Sequence, residues 1–367
     1  MANISTMTIG CDLGDRYSHV CVLDGAGAVV ERARVKTTPA AFKRWFGRHK
    51  PARVAVETGA HTRWVAAELA ELGHDVLVAN ARDLRLIYAG RRKNDQLDAE
   101  ALARVARLDP KLLNPVTLRG QRAQADKAIL GARNQLVEAR TKLIGCVRGM
   151  VKSWGRRVKS GDANAFHKRA PEAIPEELRP ALDPIVETIE ELSRQIKLYD
   201  ELLETKLQEY QESVAMTQIK GVGPVTTLAF MLTIEDPSRF RRSRDVGPFL
   251  GLVPKERQSG KSDPELGISK AGDPYLRRLL VQCAHYILGP FGQDCDLRRF
   301  GQRLIDRSGK TPRRGKKRTS PKKRAAVAVA RKLAVLMHRL WCTGEVYEPL
   351  GYGQTCTEDE LAAEMTM

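Results

Sequence analysis

Four carboxylate residues near the start of the chain have the types and spacing of a divalent-metal site. Asp12 ends one short apolar run, TIGCD, and Glu57 ends another, RVAVE. Asp95 and Asp98 lie three residues apart, which places them on one face and in the first turn of a predicted helix. Converging carboxylates repel unless a hard cation neutralises them, and Mg²⁺ prefers oxygen ligands. The pattern therefore predicts a magnesium centre for phosphoryl transfer, with no organic cofactor.

Each carboxylate also has an ordinary structural explanation. Asp95 is a typical N-cap residue, Asp98 suits the positive end of a helix dipole, and Glu57 can close a strand that faces solvent. The hypothesis depends on the ordered set more than on any one member. The adjoining basic run GRRKND would bring phosphate to the site through three side chains: Arg91, Arg92 and Lys93.

A glycine-rich, proline-punctuated loop, GLVPKERQSGKSDPELG, supplies a candidate nucleophile. Ser259 stands beside Gly260, whose small size favours exposure of the hydroxyl. Three basic residues that would neutralise charge on a phosphate flank it: Lys255, Arg257 and Lys261. No histidine lies nearby in sequence, so activation would have to come from the metal centre. Ser262 and Ser269 are barely separable from Ser259 on these grounds, because loop serines are common turn formers.

Two further segments predict contacts with nucleic acid. GVGP, with Gly221 and Gly223, precedes a helix and is typical of a helix-hairpin-helix turn whose free N–H groups bind phosphate. An ordinary Gly-Pro turn is the alternative. Residues 307–324 carry ten Lys or Arg and no acid, and they include Arg313, Arg314, Lys316, Lys317 and Arg318. Such a run is also compatible with a solvated segment that has no specific partner.

Composition agrees with a polyanionic partner. Lys and Arg number 62 against 44 Asp and Glu, which gives a net charge of +18. The seven cysteines never form C-x-x-C, so they predict reduced thiols in place of disulfides or zinc. No apolar run reaches about 18 residues, which predicts no membrane span. The N-terminus lacks the features of a secretory signal, so we expect a cytoplasmic protein.

Hydrophobic periodicity predicts how the chain is divided. Residues 1–110 contain three short strands followed by alternating helices and strands, which favours an α/β sheet of the ribonuclease-H type. Residues 111–215 predict a helical coiled-coil region, residues 216–350 a mainly α C-terminal domain, and residues 351–367 a flexible tail.

The helical region carries two apolar stripes. In the first, large residues lie seven apart and small ones lie between them: Ile129, Leu136, Leu143 and Met150, with Ala132, Ala139 and Cys146. In the second, apolar residues step by four and three: Ile185, Ile189, Leu192, Ile196, Tyr199 and Leu203. The stripes predict either an intramolecular hairpin or a dimer interface, because sequence does not record the partner.

In combination, these motifs resemble those of the insertion-sequence one-ten family of transposases, also called bridge recombinases. The matching segments span about residues 7–350: IGCDLG, AVETG, RRKNDQLDAEALA, IKGVGPVTTLAFMLTI, GLVPKERQSGKS, LGISKAGDPYLRRLL and AVAVARKLAVLM. There are two small departures. Asn94 precedes Asp95 where the family pattern has threonine, and Glu57-Thr58-Gly59 replaces Glu-Ala-Thr-Gly. Neither changes a predicted metal ligand.

The resemblance implies a RuvC-like N-terminal domain whose acidic tetrad matches Asp12, Glu57, Asp95 and Asp98. It implies a C-terminal transposase domain whose catalytic serine matches Ser259 and forms a covalent serine–phosphate link to DNA. It further implies a composite active site that spans the subunits of a homo-oligomer, a tetramer. A structured bridge RNA from the element's non-coding end would pair with donor and target DNA. Such an enzyme would act in the bacterial cytoplasm, associated with the nucleoid.

Three other functions fit part of the sequence. An actin-like ATPase or sugar kinase also opens with a strand ending in Asp-x-Gly, but no later glycine-rich nucleotide loop follows. A RuvC-like junction-resolving nuclease would hydrolyse DNA without covalent attachment, and residues 216–350 would then have no task. A non-enzymatic nucleic-acid binder is disfavoured because four clustered carboxylates would repel the phosphates of its ligand.

Overall fold

The computed structural model describes residues 7–80, 94–255, 266–309 and 320–351. It divides into two compact units, Met1–Arg119 and Gly120–Met367. In the predicted alternation of helices and strands, residues 81–93 lie outside the described residues, as does the predicted tail from residue 352. None of the helices in the described ranges is long and apolar enough to cross a membrane.

The first unit is built on a five-stranded sheet of order β3-β2-β1-β4-β5. Its strands are β1 (Thr8–Asp12), β2 (Tyr17–Leu23), β3 (Val29–Lys36), β4 (Arg53–Glu57) and β5 (Asp75–Ala79). The first three strands pair antiparallel, whereas β1, β4 and β5 pair parallel. The predicted meander followed by alternating helices and strands is confirmed, and its order is that of a ribonuclease-H-type mixed sheet.

Helices cover both faces of this sheet: α1 (Pro39–Phe46), α2 (Thr62–Glu71) and α3 (Asp95–Leu108). Because side chains alternate along a strand, Ile9 and Cys11 face α1 and α2, and Gly10 faces α3. The α3 side is lined by small residues, among them Ala99 and Ala103 of the helix itself. Burial, together with the adjacent Asp12, raises the pKa of the Cys11 thiol, so this cysteine is a core residue.

Gly10 is the point where β1 and α3 come closest. A Cβ atom at this position would lie 2.0 Å from the carbonyl oxygen of Ala99 and 2.5 Å from the backbone nitrogen of Ala103. Both neighbours are backbone atoms of a regular helix, so neither can move by itself. Only glycine allows the helix to lie this close to the strand.

The second unit begins with two long helices, α4 (Gln121–Ser153) and α6 (Arg179–Gln208), joined by a short α5 (Phe166–Arg169). The end of α4 packs against the start of α6 through Val147, Val151, Leu182 and Val186, so the pair is antiparallel. The two helices therefore pack against each other within the chain. A charged contact lies midway along the pair, where the guanidinium of Arg133 donates to Asp200 at 2.5 Å.

The apolar stripe predicted on α4 lies about one residue away from the side chains that are buried. The buried apolar side chains of this helix are Leu130, Ile144, Val147 and Val151. In the stripe that the sequence favoured, Ile129, Leu136 and Leu143 are half-buried, and the others are exposed: Ala132, Ala139, Cys146 and Met150. The apolar surface of α4 is wider than the strip that α6 covers. Residue spacing alone therefore assigned the contact to the edge of this apolar surface, whereas the buried residues lie at its centre.

The remaining helices form a bundle: α7 (Val214–Thr217), α8 (Pro224–Ile234), α9 (Val246–Phe249), α10 (Pro274–Leu288), α11 (Asp296–Gly309) and α12 (Pro321–Thr343). Helix α8 is buried on all sides from Thr226 to Ile234. Its core also contains Leu130, Leu203 and Leu207 from the base of the α4–α6 pair. Short 3₁₀ helices lie between the longer elements of both units: Pro110–Leu113, Ala163–Ala165, Pro171–Ala173, Glu176–Leu178, Gln211–Ser213, Pro237–Arg239 and Ser243–Asp245.

The close approach at Gly10 predicts a large effect of one methyl group. We expect Gly10→Ala to lower the free energy of unfolding of the first unit by about 1–3 kcal/mol, because α3 must move off the sheet. Gly59→Ala is the matched control, since its Cβ would meet only Thr62 Oγ1 at 3.8 Å. Urea denaturation checks both variants. Equal stability of the two would contradict a steric requirement at position 10.

Candidate metal centre and nucleic-acid contacts

The start of α3 carries two of the predicted ligands. Asn94 caps this helix, because its side-chain oxygen accepts from the backbone N–H of Gln96 at 3.0 Å. Asp95 and Asp98 both lie in the first turn. The alternative that Asp95 serves as the helix cap is therefore wrong, and both carboxylates are left to face the edge of the sheet.

Three carboxylates meet at this edge. One oxygen each of Asp12, Asp95 and Asp98 lie within 4.8 Å of one another. Asp12 and Asp98 are half-buried, whereas the Asp95 side chain is 63% exposed. Opposite oxygens around an octahedral Mg²⁺ are about 4.2 Å apart, so the spacing is close to that of ligands on one cation. An all-oxygen donor set with three negative charges fits a hard divalent cation.

Glu57 lies beside this cluster without belonging to it. Parallel pairing of Cys11 with Val56 makes Asp12 and Glu57 the next residues of two adjacent strands, on the same face of the sheet. The turn after Glu57 is held by Thr62, whose hydroxyl donates to the Glu57 carbonyl at 2.7 Å and accepts from Gly59 N–H. The structure thus brings three of the four predicted ligands together and places the fourth on the neighbouring strand end.

Sequence reasoning missed His19. This residue pairs with Asp12 across the antiparallel β1–β2 ladder, and its Nε2 lies 3.8 Å from Oδ2 of Asp95. The side chain is 19% exposed, and its Nδ1 is buried without a hydrogen-bond partner among the residues described. Histidine spacing along the chain gave no sign of this contact. The register of the β1–β2 hairpin would have revealed it, because the cross-strand neighbour of Asp12 is His19.

Helix α3 is fixed to the sheet by charge as well as by close packing. Glu100 accepts hydrogen bonds from Arg32 on β3 and from Arg104 one turn along its own helix, at 2.6 and 2.8 Å. These two guanidinium groups hold the pKa of Glu100 below its usual range. The second turn of α3 is therefore linked to β3 by this ion pair.

The two glycines of the GVGP turn have different environments. Gly221 has a φ of +96°, and a Cβ there would lie 2.6 Å from the ring of Tyr286. Gly223 is the N-cap of α8 and has open space where a side chain would be. Position 221 therefore requires glycine for the conformation of the turn. At position 223, the absence of a side chain leaves space for a ligand to approach the backbone.

Of the remaining predicted contact residues, only Lys255 is described. It is exposed, and its backbone N–H donates to Gly267 at 3.0 Å beside a bridge between Pro254 and Ile268. The candidate nucleophile and the other basic residues lie outside the described ranges: Ser259, Arg257, Lys261, Arg91, Arg92, Lys93, Arg313, Arg314, Lys316, Lys317 and Arg318.

A ribonuclease-H-type sheet with clustered carboxylates at the C-terminal end of its central strand defines a nuclease-like domain of the DEDD class. Residues 9–154 match a family model for DEDD transposases of the IS110 type, described as "Transposase". Residues 214–291 match a second model, described as "Transposase IS116/IS110/IS902 family". The chain belongs to this family of insertion-sequence transposases and is a DNA-transposing enzyme.

Relatives extend over nearly the whole chain. It is 30% identical to "Putative transposase y4pF/y4sB" of Sinorhizobium fredii, with 93% of this chain and 86% of the relative covered. It is 28% identical to "Transposase for insertion sequence element IS1111A" of Coxiella burnetii, covering 92% and 90% respectively. A solved structure, "Thermus thermophilus RuvC structure", matches 28% of this chain and 96% of that one at 19% identity, with a TM-score of 0.23.

The carboxylate cluster predicts stabilisation by divalent metal. We expect about 10 mM Mg²⁺ or Mn²⁺ to raise the melting temperature of the first unit by about 4 °C or more, because the cation binds only the folded cluster. Asp98→Asn should remove most of this rise. Glu71→Gln, at an exposed site on α2, should retain it. An equal metal-dependent rise in all three proteins would place the metal elsewhere.

The two glycines of the GVGP turn predict opposite outcomes. Gly221→Ala should destabilise the second unit by about 1–3 kcal/mol, because the residue has a positive φ and faces Tyr286. Gly223→Ala should leave stability within about 0.5 kcal/mol but weaken binding of duplex DNA several-fold, because a methyl group blocks close approach of phosphate. Thermal melting and fluorescence anisotropy separate the two effects. Unchanged DNA affinity of Gly223→Ala would contradict a phosphate-binding role.

Proposed function

We propose that this transposase is an RNA-guided, site-specific DNA recombinase that exchanges strands through a covalent serine–phosphate intermediate. The observation that carries the proposal is the meeting of Asp12, Asp95 and Asp98 at the sheet edge of an insertion-sequence transposase. Neither the tetrad alone nor a loop serine alone requires strand exchange. The combination of both in one family member favours it.

The acidic residues provide the metal-dependent half of the site. Asp12, Asp95 and Asp98 would hold a divalent cation, with Glu57 reaching it from the next strand end. When bound, such a cation neutralises charge on the phosphate and orients the reacting oxygens. The protein's own task would be to keep these carboxylates in place, and the close contact of β1 with α3 at Gly10 supports that role. His19 would orient Asp95 from the second strand.

Ser259 would provide the nucleophilic half. Its Oγ would form a bond to a DNA phosphorus as one P–O bond of the strand breaks. The serine proton is lost and the leaving oxygen gains one, so the step needs neither an oxidant nor ATP. Lys255, Arg257 and Lys261 would neutralise the phosphate during the exchange. The reverse reaction with a different strand end rejoins the DNA and frees the serine.

Partners and assembly follow from the same proposal. Donor and target DNA would be selected by a structured bridge RNA, and the protein would contact backbone and shape. A net charge of +18 with only 5% aromatic residues supports backbone contacts over base stacking. Ser259 of one subunit would act with the acidic tetrad of another in a tetramer. The enzyme would work at the nucleoid of the bacterial cytoplasm.

A hydrolytic nuclease is the second candidate. The observation that favours it is that Asp12, Asp95 and Asp98 all belong to the first compact unit. A metal ion held by these carboxylates would direct water at phosphorus without a serine. Such an enzyme would leave free strand ends and no protein–DNA link. The two candidates therefore differ in whether DNA becomes attached to protein.

A covalent trap distinguishes them. The protein is incubated with divalent metal, RNA transcribed from its own element and a nicked suicide substrate, and protein–DNA adducts are measured on denaturing gels. We expect Ser259→Ala to reduce the adduct by at least about 1,000-fold, as expected for loss of a nucleophile. Ser269→Ala is the matched control, because Ser269 follows shortly after this loop and, among the residues that the structure describes, its hydroxyl accepts from Ala271 N–H. An adduct that persists in Ser259→Ala would assign the nucleophile elsewhere.

A further inference from the structure

The loop between α8 and α9, residues 236–245, has the sequence DPSRFRRSRD and contains four arginines. We call it the arginine loop. It begins after Glu235, which ends α8 with a positive φ of 63°. It lies in the C-terminal bundle, outside the carboxylate cluster, the serine loop and the basic run at 307–324. Neither the sequence motifs nor the proposed reaction assigns it a role.

A buried histidine holds this loop in place. His338 of α12 is 1% exposed, and its two ring nitrogens lie 3.0 Å from the hydroxyl of Ser243 and 3.0 Å from the carbonyl of Pro237. A carbonyl only accepts, so Nε2 donates to Pro237 and Nδ1 accepts from Ser243 in the neutral ring. Burial lowers the pKa of His338, which favours this neutral form.

An aromatic contact fixes the middle of the loop. The ring of Phe240 packs edge-on against Phe249 at 5.2 Å and against His338 at 5.5 Å. The loop is therefore anchored at Pro237, Phe240 and Ser243. Anchoring at three points within seven residues restricts the intervening backbone, which reduces the conformational entropy that the loop would lose when it binds a ligand.

The four arginines divide into one that serves the fold and three that do not. Arg239 donates to the carbonyl of Ile234 at 3.2 Å and lies 5.7 Å above the ring of Phe249. Arg241, Arg242 and Arg244 are all exposed, and none forms an ion pair or side-chain hydrogen bond with another described residue. The loop also contains two acidic residues, Asp236 and Asp245. The carboxylate of Asp236 accepts a hydrogen bond from Ser238 N–H at 2.8 Å.

We propose that the arginine loop is a binding site for the phosphodiester backbone of nucleic acid. A guanidinium group matches a phosphate with two parallel hydrogen bonds, which makes arginine the preferred side chain for this ligand. A rigid loop that presents three of them without internal partners is suited to successive phosphates. The inference rests on the proposed function only in that a recombinase must bind nucleic acid, and it adds the surface that does so.

The test compares two triple variants that remove the same charge. Arg241→Ala, Arg242→Ala and Arg244→Ala are combined in one protein. The control combines Arg122→Ala, Arg179→Ala and Arg194→Ala, whose guanidinium groups pair with Glu209, Glu176 and Glu191. Both are made in the full-length Ser259→Ala background, so failure of the covalent chemistry does not affect the result. Anisotropy is measured with labelled duplex DNA and with a labelled RNA hairpin across a range of KCl concentrations.

We expect the loop variant to bind at least one probe about 10-fold or more weakly than the control variant at physiological salt. The slope of log affinity against log salt should fall by about 2 or 3, since each phosphate contact contributes about 0.9. A loss confined to the duplex assigns the loop to DNA, and a loss confined to the hairpin assigns it to RNA. Either result supports the proposal.

A variant with three lysines tests the role of the guanidinium fork. Arg241→Lys, Arg242→Lys and Arg244→Lys retain the charge, so the salt slope should stay near that of the parent while affinity falls several-fold. The three loop side chains are exposed, and thermal melting verifies that each protein, the control included, is folded. The proposal is overturned if the alanine variant and the control variant bind both probes equally well.

Discussion

The contact of β1 with α3 at Gly10 is the constraint on which the first unit depends. From this contact, Asp12 lies two residues along the strand, about 6.6 Å, and Asp95 lies four residues back along the helix, about 6 Å. The two distances match, so a helix that touches the strand at Gly10 brings its first turn to the end of that strand. The carboxylates meet because a glycine two residues earlier allows the approach.

Much of this unit could be predicted from sequence because its signals are local. Alternating apolar residues and strand ends were sufficient to locate β1 and β4, and hence Asp12 and Glu57. A spacing of three was sufficient to place Asp95 and Asp98 on one helical face. His19 was missed because its proximity to the cluster comes from hairpin register, which is set by the turn and by pairing across strands.

The second unit was harder to predict because its determinants are not local. The stripe on α4 was assigned about one residue away from the buried seam, since a wide apolar surface does not reveal which part of it α6 will cover. Charge density drew attention to residues 307–324 and away from the arginine loop. In that loop, the arginines alternate with residues that anchor the loop, such as Phe240 and Ser243. The anchoring role of these two residues follows from their contacts with His338, which is distant in sequence.

The α4–α6 pair contains two separate cores. One, at the far end, is made by Val147, Val151 and Leu182, and the other, at the base, continues into the C-terminal bundle. Between them lie Arg133 with Asp200 and the buried Arg140, which donates to Ser193 at 3.1 Å. Cooperative units of unfolding follow such boundaries in packing. We therefore expect the tip of the hairpin to unfold as a local unit, so that its amides exchange with solvent while the base stays folded.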